Sequence, residues 1–376
     1  MGGRPAWAEV DLGAIRHNAS LLAGRVAPSA LCAVVKAAGY GHGSVAVAKA
    51  ALEGGATWLA VALVEEGDVL RQHGIEAPIL LLSEPPADAM DDVVALGLTP
   101  TVYTQQGVEA AAKAVAGAGS APPLSVHVKV DTGMHRVGAT PEGTLAVVQA
   151  VAEHPELTFG GLWTHFAVAD EPGHPFTDQQ CARFDSVLAR LAEGGQRPPI
   201  VHAANSAGAL LYPNARRDMV RCGIALYGVA PSPAVAAVEA LEGLRPALSL
   251  RARVAFVKRV GAGEALSYGL RRALDRVAVI ATVPVGYADG VPWRLGVSGG
   301  EVLIGGRRRP LAGSVTMDQI LVDCGEDENV LPGDEVVLIG RQGTEQVTAW
   351  EWASKVGTIA YEILCGIGPR VPKVYG

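Results

Sequence analysis

The sequence predicts an α/β protein in which a (β/α)₈ barrel is followed by a mostly β C-terminal domain. Short apolar segments alternate with longer amphipathic ones from residue 12 to about 235. Most of the short segments are uninterrupted runs of Val, Ile and Leu, as expected for strands covered on both faces. Eight strand–helix units over about 225 residues match the size of a barrel. A doubly wound sheet is the competing layout, but the even strand spacing favours the barrel.

The elements of the barrel follow from hydrophobic spacing. Leu12, Ile15, Ala19 and Leu22 recur at helical spacing, which predicts a first helix over Leu12–Leu22. The predicted strands are Leu31–Lys36, Trp58–Ala62, Ile79–Leu82, Thr99–Tyr103, Leu124–Val130, Phe159–Thr164, Ile200–Ala203 and Met219–Arg221. Helices predicted between them include Val45–Glu53, Val64–His73, Gln106–Val115, Glu142–Glu153 and Gln179–Leu191.

The pattern changes after Pro231, where strand candidates follow one another with Gly-rich turns between them. One helix is predicted in this part, over Thr348–Lys355. We therefore expect a barrel over residues 8–235 and a mostly antiparallel β domain over 236–376, with which residues 1–10 pair. The strands predicted in this domain include Leu248–Val260, Val277–Val283, Glu301–Ile304, Gln319–Asp323 and Glu335–Ile339.

Composition excludes several classes of protein. The 376 residues are 49% hydrophobic and 18% charged, with a net charge of −7. The nearest approach to a basic run, Arg307–Arg309, is predicted to be a solvated turn, so no nucleic-acid partner is expected. Five scattered cysteines without paired spacing indicate a reducing compartment. Neither an N-terminal signal core nor a membrane-spanning segment is present, which predicts a cytoplasmic location and no membrane partner.

Catalytic groups of a barrel lie at the carboxyl ends of its strands. Lys36 ends the first strand, where desolvation would free its amine as a nucleophile or Schiff-base partner. A lysine that reaches along the barrel rim to solvent is the alternative interpretation. The glycines that follow it, Gly39, Gly41 and Gly43, form GxGxG and not the dinucleotide motif GxGxxG.

Further candidates end strands five to eight. Lys129 faces the interior next to Arg136 and therefore needs a partner or a modification, unless Asp131 pairs with it. His165 ends strand six, where a histidine is as often structural as catalytic.

Two later strand ends suggest a phosphate site. The Ser206 hydroxyl and the Gly223 and Ile224 amides would form a phosphate cradle. Arg221 is placed to hydrogen-bond a ring held by that cradle. A metal-dependent hydrolase would need histidine pairs and an acid at strand ends. Lys36 and Arg221 occupy those ends instead, so no metal is expected.

Nine motifs in the same order resemble those of the alanine racemase family, over about Ala8 to Tyr375. The motifs are Val35-Lys36-Ala37-x-x-Tyr40-Gly41-His42-Gly43, Asp131-Thr132-Gly133-Met134-His135-Arg136, Thr164-His165-Phe166-Ala167, Asn205-Ser206, Arg221-x-Gly223-Ile224-x-x-Tyr227-Gly228, Ser267-Tyr268-Gly269, Gly286-Tyr287-Ala288-Asp289-Gly290, Met317-Asp318-Gln319 and Thr358-Ile359-x-Tyr361-Glu362. The resemblance implies an isomerase that uses pyridoxal 5′-phosphate (PLP) to interconvert L- and D-alanine, a peptidoglycan precursor. It also implies a homodimer with shared active sites, in which the β domain contributes to the partner's site.

The resemblance also implies a role for each site residue. Lys36 would bind PLP covalently and act as the base on the D-alanine face, and Tyr268 of the partner subunit would be the base on the L-alanine face. A hydrogen-bond chain from Tyr268 through His165 and Arg221 to the pyridine nitrogen would make the tyrosine a usable base. The implied phosphate contacts are Tyr40, Ser206, Gly223, Ile224 and Tyr361.

The substrate contacts are implied in the same way, and the sequence departs from the family at three positions. Arg136 and Met317 of the partner subunit would hold the substrate carboxylate, and Tyr287 and Tyr361 would narrow the entrance. Lys129 matches a position that is carbamylated in some family members. The sequence departs from the family at Ala38 and Gly39, where Asn or Asp and then Ala are usual. It also departs at Thr316, which lines the substrate pocket where Cys is common.

Three alternatives remain open from the sequence. A serine or broad-specificity racemase on the same scaffold is one, and a PLP-binding protein without racemase activity is the second. Single-domain relatives of that second type lack the domain that carries Tyr268. A decarboxylase of the same fold type is the third, but its acidic cofactor partner is replaced by Arg221.

Overall fold

The computed structural model describes residues 5–119, 122–237 and 242–376. The chain forms two compact units. The barrel unit comprises residues 13–39 and 44–246, and the β unit comprises the residues up to Leu12, residues 40–43 and residues 247–376. In these described ranges, no helix is both long and apolar enough to cross a membrane.

Eight parallel strands form the barrel, which confirms the predicted fold class. They are β2 (Ala30–Val34), β3 (Trp58–Val61), β4 (Ile79–Leu81), β5 (Thr101–Val102), β6 (Leu124–Lys129), β7 (Leu157–Trp163), β8 (Ile200–His202) and β9 (Met219–Cys222). They pair in two runs, β4-β3-β2-β9 and β5-β6-β7-β8. A parallel bridge between Leu80 and Thr99 joins one pair of run ends. The Arg221 N–H donates to the Ala204 carbonyl across the other pair, so the ring closes.

Helices cover the outside of the barrel by burying one apolar stripe each. In the long helix Phe176–Glu193, the buried residues Gln180, Phe184, Val187 and Leu191 recur three or four apart. The helices of this unit are α1 (Leu12–Val26), α2 (Ser44–Glu53), α3 (Val64–Gln72), α4 (Met90–Ala95), α5 (Gln105–Gly117), α6 (Thr144–Glu153), α7 (Phe176–Glu193), α8 (Ser206–Leu211) and α9 (Pro233–Ala236). Short 3₁₀ turns lie at Ala87–Ala89, Pro213–Ala215 and Ile224–Tyr227.

The β unit is built on mostly antiparallel strands. These are β1 (Ala6–Val10), β10 (Leu248–Arg253), β11 (Phe256–Val260), β12 (Ala265–Leu266), β13 (Arg272–Ala273), β14 (Ala278–Val283), β15 (Glu301–Ile304), β16 (Arg307–Pro310), β17 (Ile320–Asp323), β18 (Glu335–Gln342), β19 (Glu345–Val347) and β20 (Lys373–Tyr375). The largest sheet has the order β16-β15-β18-β10-β1-β20, and β1 lies antiparallel to β10 and parallel to β20. A second sheet has the order β11-β14-β17.

Two details of the β unit differ from the prediction. The single strand predicted over Leu248–Val260 is two strands, because the chain changes sheets between Val254 and Ala255. The Val254 N–H donates to the Asp334 carbonyl, whereas the Ala255 N–H donates to that of Thr282. A second helix, α11 (Ala360–Cys365), follows the predicted one, α10 (Ala349–Val356). It was missed because its six residues are too few to display a helical period.

The basic run Arg307–Arg309 was wrongly predicted to be a solvated turn. It forms β16, and only Arg307 of the three is exposed. The Arg308 guanidinium lies 3.0 Å from the Glu301 carboxylate, 3.1 Å from that of Glu345 and 2.7 Å from that of Glu351. These acids come from three separate elements, so Arg308 ties the sheet to α10, a role that its local sequence does not reveal.

Candidate active site

Lys36 lies two residues beyond the end of the first barrel strand and begins an unusual backbone segment. The four residues that follow it, Ala37 to Tyr40, all have positive φ angles, between 51° and 63°. The segment is held by two hydrogen bonds of the barrel unit. The Gly39 N–H donates to the Val35 carbonyl at 2.9 Å, and the Ala37 N–H donates to the Glu66 carboxylate at 2.5 Å. The chain therefore turns sharply just beyond Lys36.

Arg221, on the last barrel strand, donates hydrogen bonds to several acceptors of the barrel. Its Nη2 donates to the carbonyls of Thr164 at 2.8 Å and Ala203 at 2.9 Å. Its Nη1 donates to Nδ1 of His202 at 2.7 Å. Burial lowers the pKa of the guanidinium to about 10, which leaves Arg221 cationic at neutral pH. The barrel therefore imposes the orientation of the guanidinium, and its charge persists in spite of burial.

His165, at the end of β7, also faces Arg221, with Nδ1 3.4 Å from Nη2. Burial and the positive charges of Arg221 and Lys129 hold the pKa of His165 well below its ordinary value. An arginine can only donate a hydrogen bond, so Nδ1 of a neutral His165 must accept, and its proton lies on Nε2. His165 can then act only as a donor through Nε2.

Lys129 is a buried and strongly perturbed amine of the barrel. It is 2% exposed, and its ammonium lies 4.4 Å from the centre of the Trp163 ring. Burial, with the positive charges of Arg136, Arg221 and Lys36, lowers its pKa to about 7. Lys36 also lowers the pKa of His165, so these groups share one electrostatic environment. The predicted site residues of the barrel unit thus converge.

Asp131 does not serve as the simple partner of Lys129. One of its carboxylate oxygens accepts the N–H groups of Gly133 at 2.9 Å and His135 at 3.0 Å, which shapes the loop that leads to Arg136. Burial by itself would raise the pKa of Asp131, but these N–H donors outweigh it and hold the pKa below its usual value. The requirement for a partner or a modification at Lys129 therefore remains.

Ser206 and the segment after Arg221 meet at one point. The Ser206 hydroxyl is buried and accepts the N–H of Gly223 at 2.9 Å and, more distantly, that of Ala225 at 3.4 Å. Ile224, between them, begins a buried 3₁₀ turn. A hydroxyl beside clustered backbone amides is a donor set suited to a phosphate. Together with Lys36 and Arg221, it fits PLP at the phosphate, the aldehyde carbon and the ring nitrogen.

The β unit carries the remaining predicted residues. Tyr268 is 76% exposed, and its carbonyl accepts the Ser314 hydroxyl at 2.9 Å. The Tyr287 N–H donates to the Thr316 carbonyl at 3.0 Å, and Met317 beside it is exposed. The Thr316 hydroxyl donates to the Gln319 carbonyl at 2.8 Å. Two loops that bear predicted substrate contacts are thereby joined.

The same unit brings Tyr40 and Tyr361 together, with ring centroids 6.1 Å apart. Gly41, next to Tyr40, has a φ of +82°, and a Cβ there would lie 2.2 Å from the Leu364 carbonyl oxygen. Only glycine therefore allows the motif Tyr40-Gly41-His42-Gly43 to pack against α11, which carries Tyr361.

Two contributors to the site were missed in the sequence. His127 and His202 form a hydrogen-bonded pair that leads to Arg221. Glu66 accepts the N–H groups of Ala37 and Ala62 and so connects α3 to the segment after Lys36. The available signals were a histidine two residues before Lys129 and an acid in the first turn of a helix. Both features are common in proteins and do not by themselves indicate a site.

A barrel with a lysine after its first strand, a buried arginine on its last strand and a phosphate-type donor set beside it defines the class of PLP-dependent barrel enzymes. The model of the alanine racemase N-terminal domain matches residues 10–231, and that of the C-terminal domain matches residues 247–375. The chain belongs to the alanine racemase family, whose members are PLP-dependent isomerases.

Individual relatives cover the whole chain. An alanine racemase of Symbiobacterium thermophilum is 49% identical over 100% of this chain and 98% of its own length. The crystal structure of alanine racemase from Streptomyces lavendulae is 40% identical, with a TM-score of 0.93, over 100% of this chain and 98% of that one. A histidine racemase of Leuconostoc mesenteroides is 29% identical, with a TM-score of 0.90, over 100% of this chain and 99% of that one.

Proposed function

We propose that this chain interconverts L- and D-alanine with PLP, using Lys36 and Tyr268 of the partner subunit as bases on opposite faces of the substrate. The observation that carries the proposal is the buried chain from Arg221 to His165 in the same electrostatic environment as Lys36. Racemisation needs one group to remove the Cα proton and another to return a proton from the opposite side. A single lysine supplies only one of those faces.

The cofactor contacts are assigned residue by residue from the family motifs. We assign its phosphate to Tyr40, Ser206, Gly223, Ile224 and Tyr361, its covalent link to Lys36, and its ring nitrogen to Arg221. When bound, PLP withdraws electrons from the substrate's α-carbon and so makes the Cα–H acidic. Because arginine has only donors, a ring nitrogen that faces it stays an unprotonated acceptor.

His165 explains how a tyrosine could serve as a base. A free tyrosine has a pKa of about 10 and is a poor base at neutral pH. His165 is neutral, accepts from Arg221 through Nδ1 and can only donate through Nε2. A phenol oxygen that meets this Nε2–H is stabilised in its deprotonated form. The exposure of Tyr268 within its own chain supports the proposal that it serves a partner subunit.

The substrate carboxylate would be bound by the Arg136 guanidinium and the backbone N–H of Met317 of the partner subunit. Carbamylation of Lys129 would make it anionic and thereby resolve its conflict with Arg136. Lys129 is suited to this reaction because its lowered pKa leaves a large neutral fraction at pH 7. Tyr287 and Tyr361 would narrow the entrance in favour of a methyl side chain.

The proposal extends to assembly and cellular role. A homodimer follows from the assignment of Tyr268, with the β domain of each chain completing the site of the other. The five cysteines are free thiols, which fits a cytoplasmic enzyme. D-alanine made there would serve peptidoglycan synthesis.

A chiral assay in deuterated water tests the proposal. The purified protein with PLP and L-alanine should yield D-alanine that carries deuterium at Cα, and Lys36→Ala should abolish both conversion and exchange. Tyr268→Phe should bind PLP normally but lose at least about a hundredfold in racemisation, because one base is removed. Full activity in Tyr268→Phe would refute the two-base assignment.

A broader racemase is the second candidate, favoured by two observations. Thr316 replaces the Cys usual in the family, and a relative with TM-score 0.90 is a histidine racemase. Comparing kcat/KM for alanine, serine and histidine separates the two. A preference for serine or histidine over alanine would replace the first candidate.

A further inference from the structure

Two histidines lie fully buried inside the barrel and have no part in the function proposed above. His127 lies on β6 and His202 ends β8, and both are 0% exposed. Nδ1 of His127 is 2.9 Å from Nε2 of His202. Nδ1 of His202 is in turn 2.7 Å from Nη1 of Arg221. We call His127 and His202 the histidine pair.

The chemistry of arginine determines where every proton of the histidine pair lies. Arg221 can only donate, so Nδ1 of His202 must accept and its proton must lie on Nε2. That Nε2–H donates to Nδ1 of His127, whose own proton therefore lies on Nε2. Within residues 5–119, 122–237 and 242–376, Nε2 of His127 has no hydrogen-bond partner. The chain of donors runs in one direction, from Arg221 through His202 to His127.

Neighbouring residues of the barrel leave room for the rings of the histidine pair. A Cβ at Gly161 on β7 would lie 2.7–2.8 Å from three atoms of the His127 ring. The register between β6 and β7 also shifts between Val126 and His127. Trp163 stacks on His202 with an angle of 9° between the rings and 5.5 Å between their centroids. An unsatisfied buried N–H costs about 1–3 kcal/mol, so an apolar residue would fill the space at lower cost.

Both histidines are held neutral by their surroundings. Burial and the charge of Arg221 lower the pKa of His127 to about 4 and hold that of His202 well below its ordinary value. A protonated His202 would present an N–H to Arg221 in place of a lone pair, and the contact would become repulsive.

We propose that the histidine pair is a positioning device for Arg221: His202 accepts one N–H of the guanidinium, and His127 holds the His202 ring in the orientation that makes this possible. The proposal rests on the proposed function, in which Arg221 faces the cofactor ring and His165. Carbonyls fix Nη2, and His202 fixes Nη1, so the plane of the guanidinium is set by these acceptors.

Three substitutions of His202 separate positioning from space filling. In His202→Asn the amide oxygen can take the place of Nδ1, which preserves the acceptor for Arg221. In His202→Gln the side-chain amide reaches the place of Nε2 instead and preserves only the contact with His127. His202→Leu removes both. We expect Asn to keep kcat within about threefold, and Gln and Leu to lose about 10–100-fold with little change in KM, since misplacement by about 1 Å has effects of that size.

Nitrogen-15 NMR of histidine-labelled holoenzyme gives a readout that does not depend on turnover. His127 and His202 should both carry protons on Nε2 alone around neutral pH, with signals assigned by their loss in His127→Asn and His202→Asn. A proton on Nδ1 of His202, or a doubly protonated ring, would overturn the proposal whatever the activity. If the wild-type enzyme racemises no amino acid, the proposed function is refuted. The nitrogen-15 spectrum would still test the proton positions of the histidine pair.

The kcat values of the His202 variants test the proposal as well. A folded His202→Leu enzyme with wild-type kcat would show that the pair only fills space. If Asn is as impaired as Gln, the Nδ1 acceptor is not what matters, and the proposal fails. If His202→Leu does not fold, the comparison of Asn with Gln still decides.

Discussion

Replacing Ala38 by glycine should stabilise the protein, although glycine usually weakens ordered structure. Ala38 has φ 51° and ψ 42°, in the middle of the left-handed segment that follows Lys36. Its side chain is exposed, so little packing is lost with its methyl group. The family usually has Asn or Asp here, residue types that tolerate this conformation.

The expected change in the free energy of unfolding is the difference between two opposing effects. A left-handed conformation costs an L-residue about 1–2 kcal/mol, a penalty that glycine does not have. Glycine in turn loses about 0.5–1 kcal/mol more conformational entropy on folding. The balance is a stabilisation of about 0.5–1 kcal/mol, or about 1 °C in Tm for a chain of this length.

A matched control variant shows whether the stability change of Ala38→Gly has the expected sign. Ala116 is also exposed but lies in the right-handed helix α5, so Ala116→Gly should lower stability by about 0.5–1 kcal/mol. Urea and thermal unfolding of both variants, followed by circular dichroism with PLP bound, give the comparison. If Ala38→Gly destabilises as much as Ala116→Gly does, the left-handed segment does not exist in solution.

Three further predictions concern other parts of the molecule. In CO₂-free buffer, the free energy of unfolding of the wild type, compared with that of Lys129→Met, should rise from pH 7 towards pH 10.5 by at most about 1.4 kcal/mol per pH unit. Over this range Lys129 holds its proton in the unfolded chain but not in the folded one. If the free energies of unfolding of the two proteins change equally with pH, the lowered pKa of Lys129 is contradicted. Gly286→Ala should push the loop that carries Gly286 away from Thr316, because a Cβ at residue 286 would lie 2.2 Å from the Thr316 carbonyl oxygen. The KM for alanine should rise as a result, and an unchanged KM would contradict this prediction. Arg370→Ala should lower the midpoint of urea unfolding, because the buried carboxylate of Asp289 loses a cation 3.3 Å away; an unchanged midpoint would contradict a stabilising role for this ion pair.

The fold class and much of the candidate site could be read from the sequence, because both depend on local pattern. Strands covered on both faces are largely apolar, so all eight barrel strands could be predicted, most of them from uninterrupted runs of Val, Ile and Leu. The rule that active sites lie at the carboxyl ends of barrel strands then selected Lys36, Lys129, His165 and Arg221. The structure brings these four into one electrostatic environment.

Features that depend on residues far apart in the chain were decided only by tertiary structure. The direction of the donors from Arg221 to His127 requires three strands in one register, and a shift of one residue would turn each side chain to the other face. The left-handed segment after Lys36 depends on Glu66, 29 residues further along the chain from Ala37. Arg308 resembled a solvated residue because its three acids lie on separate elements. Hydrophobic period reports which face of an element is buried, whereas the partner of a polar group is determined by packing between elements, which no local pattern records.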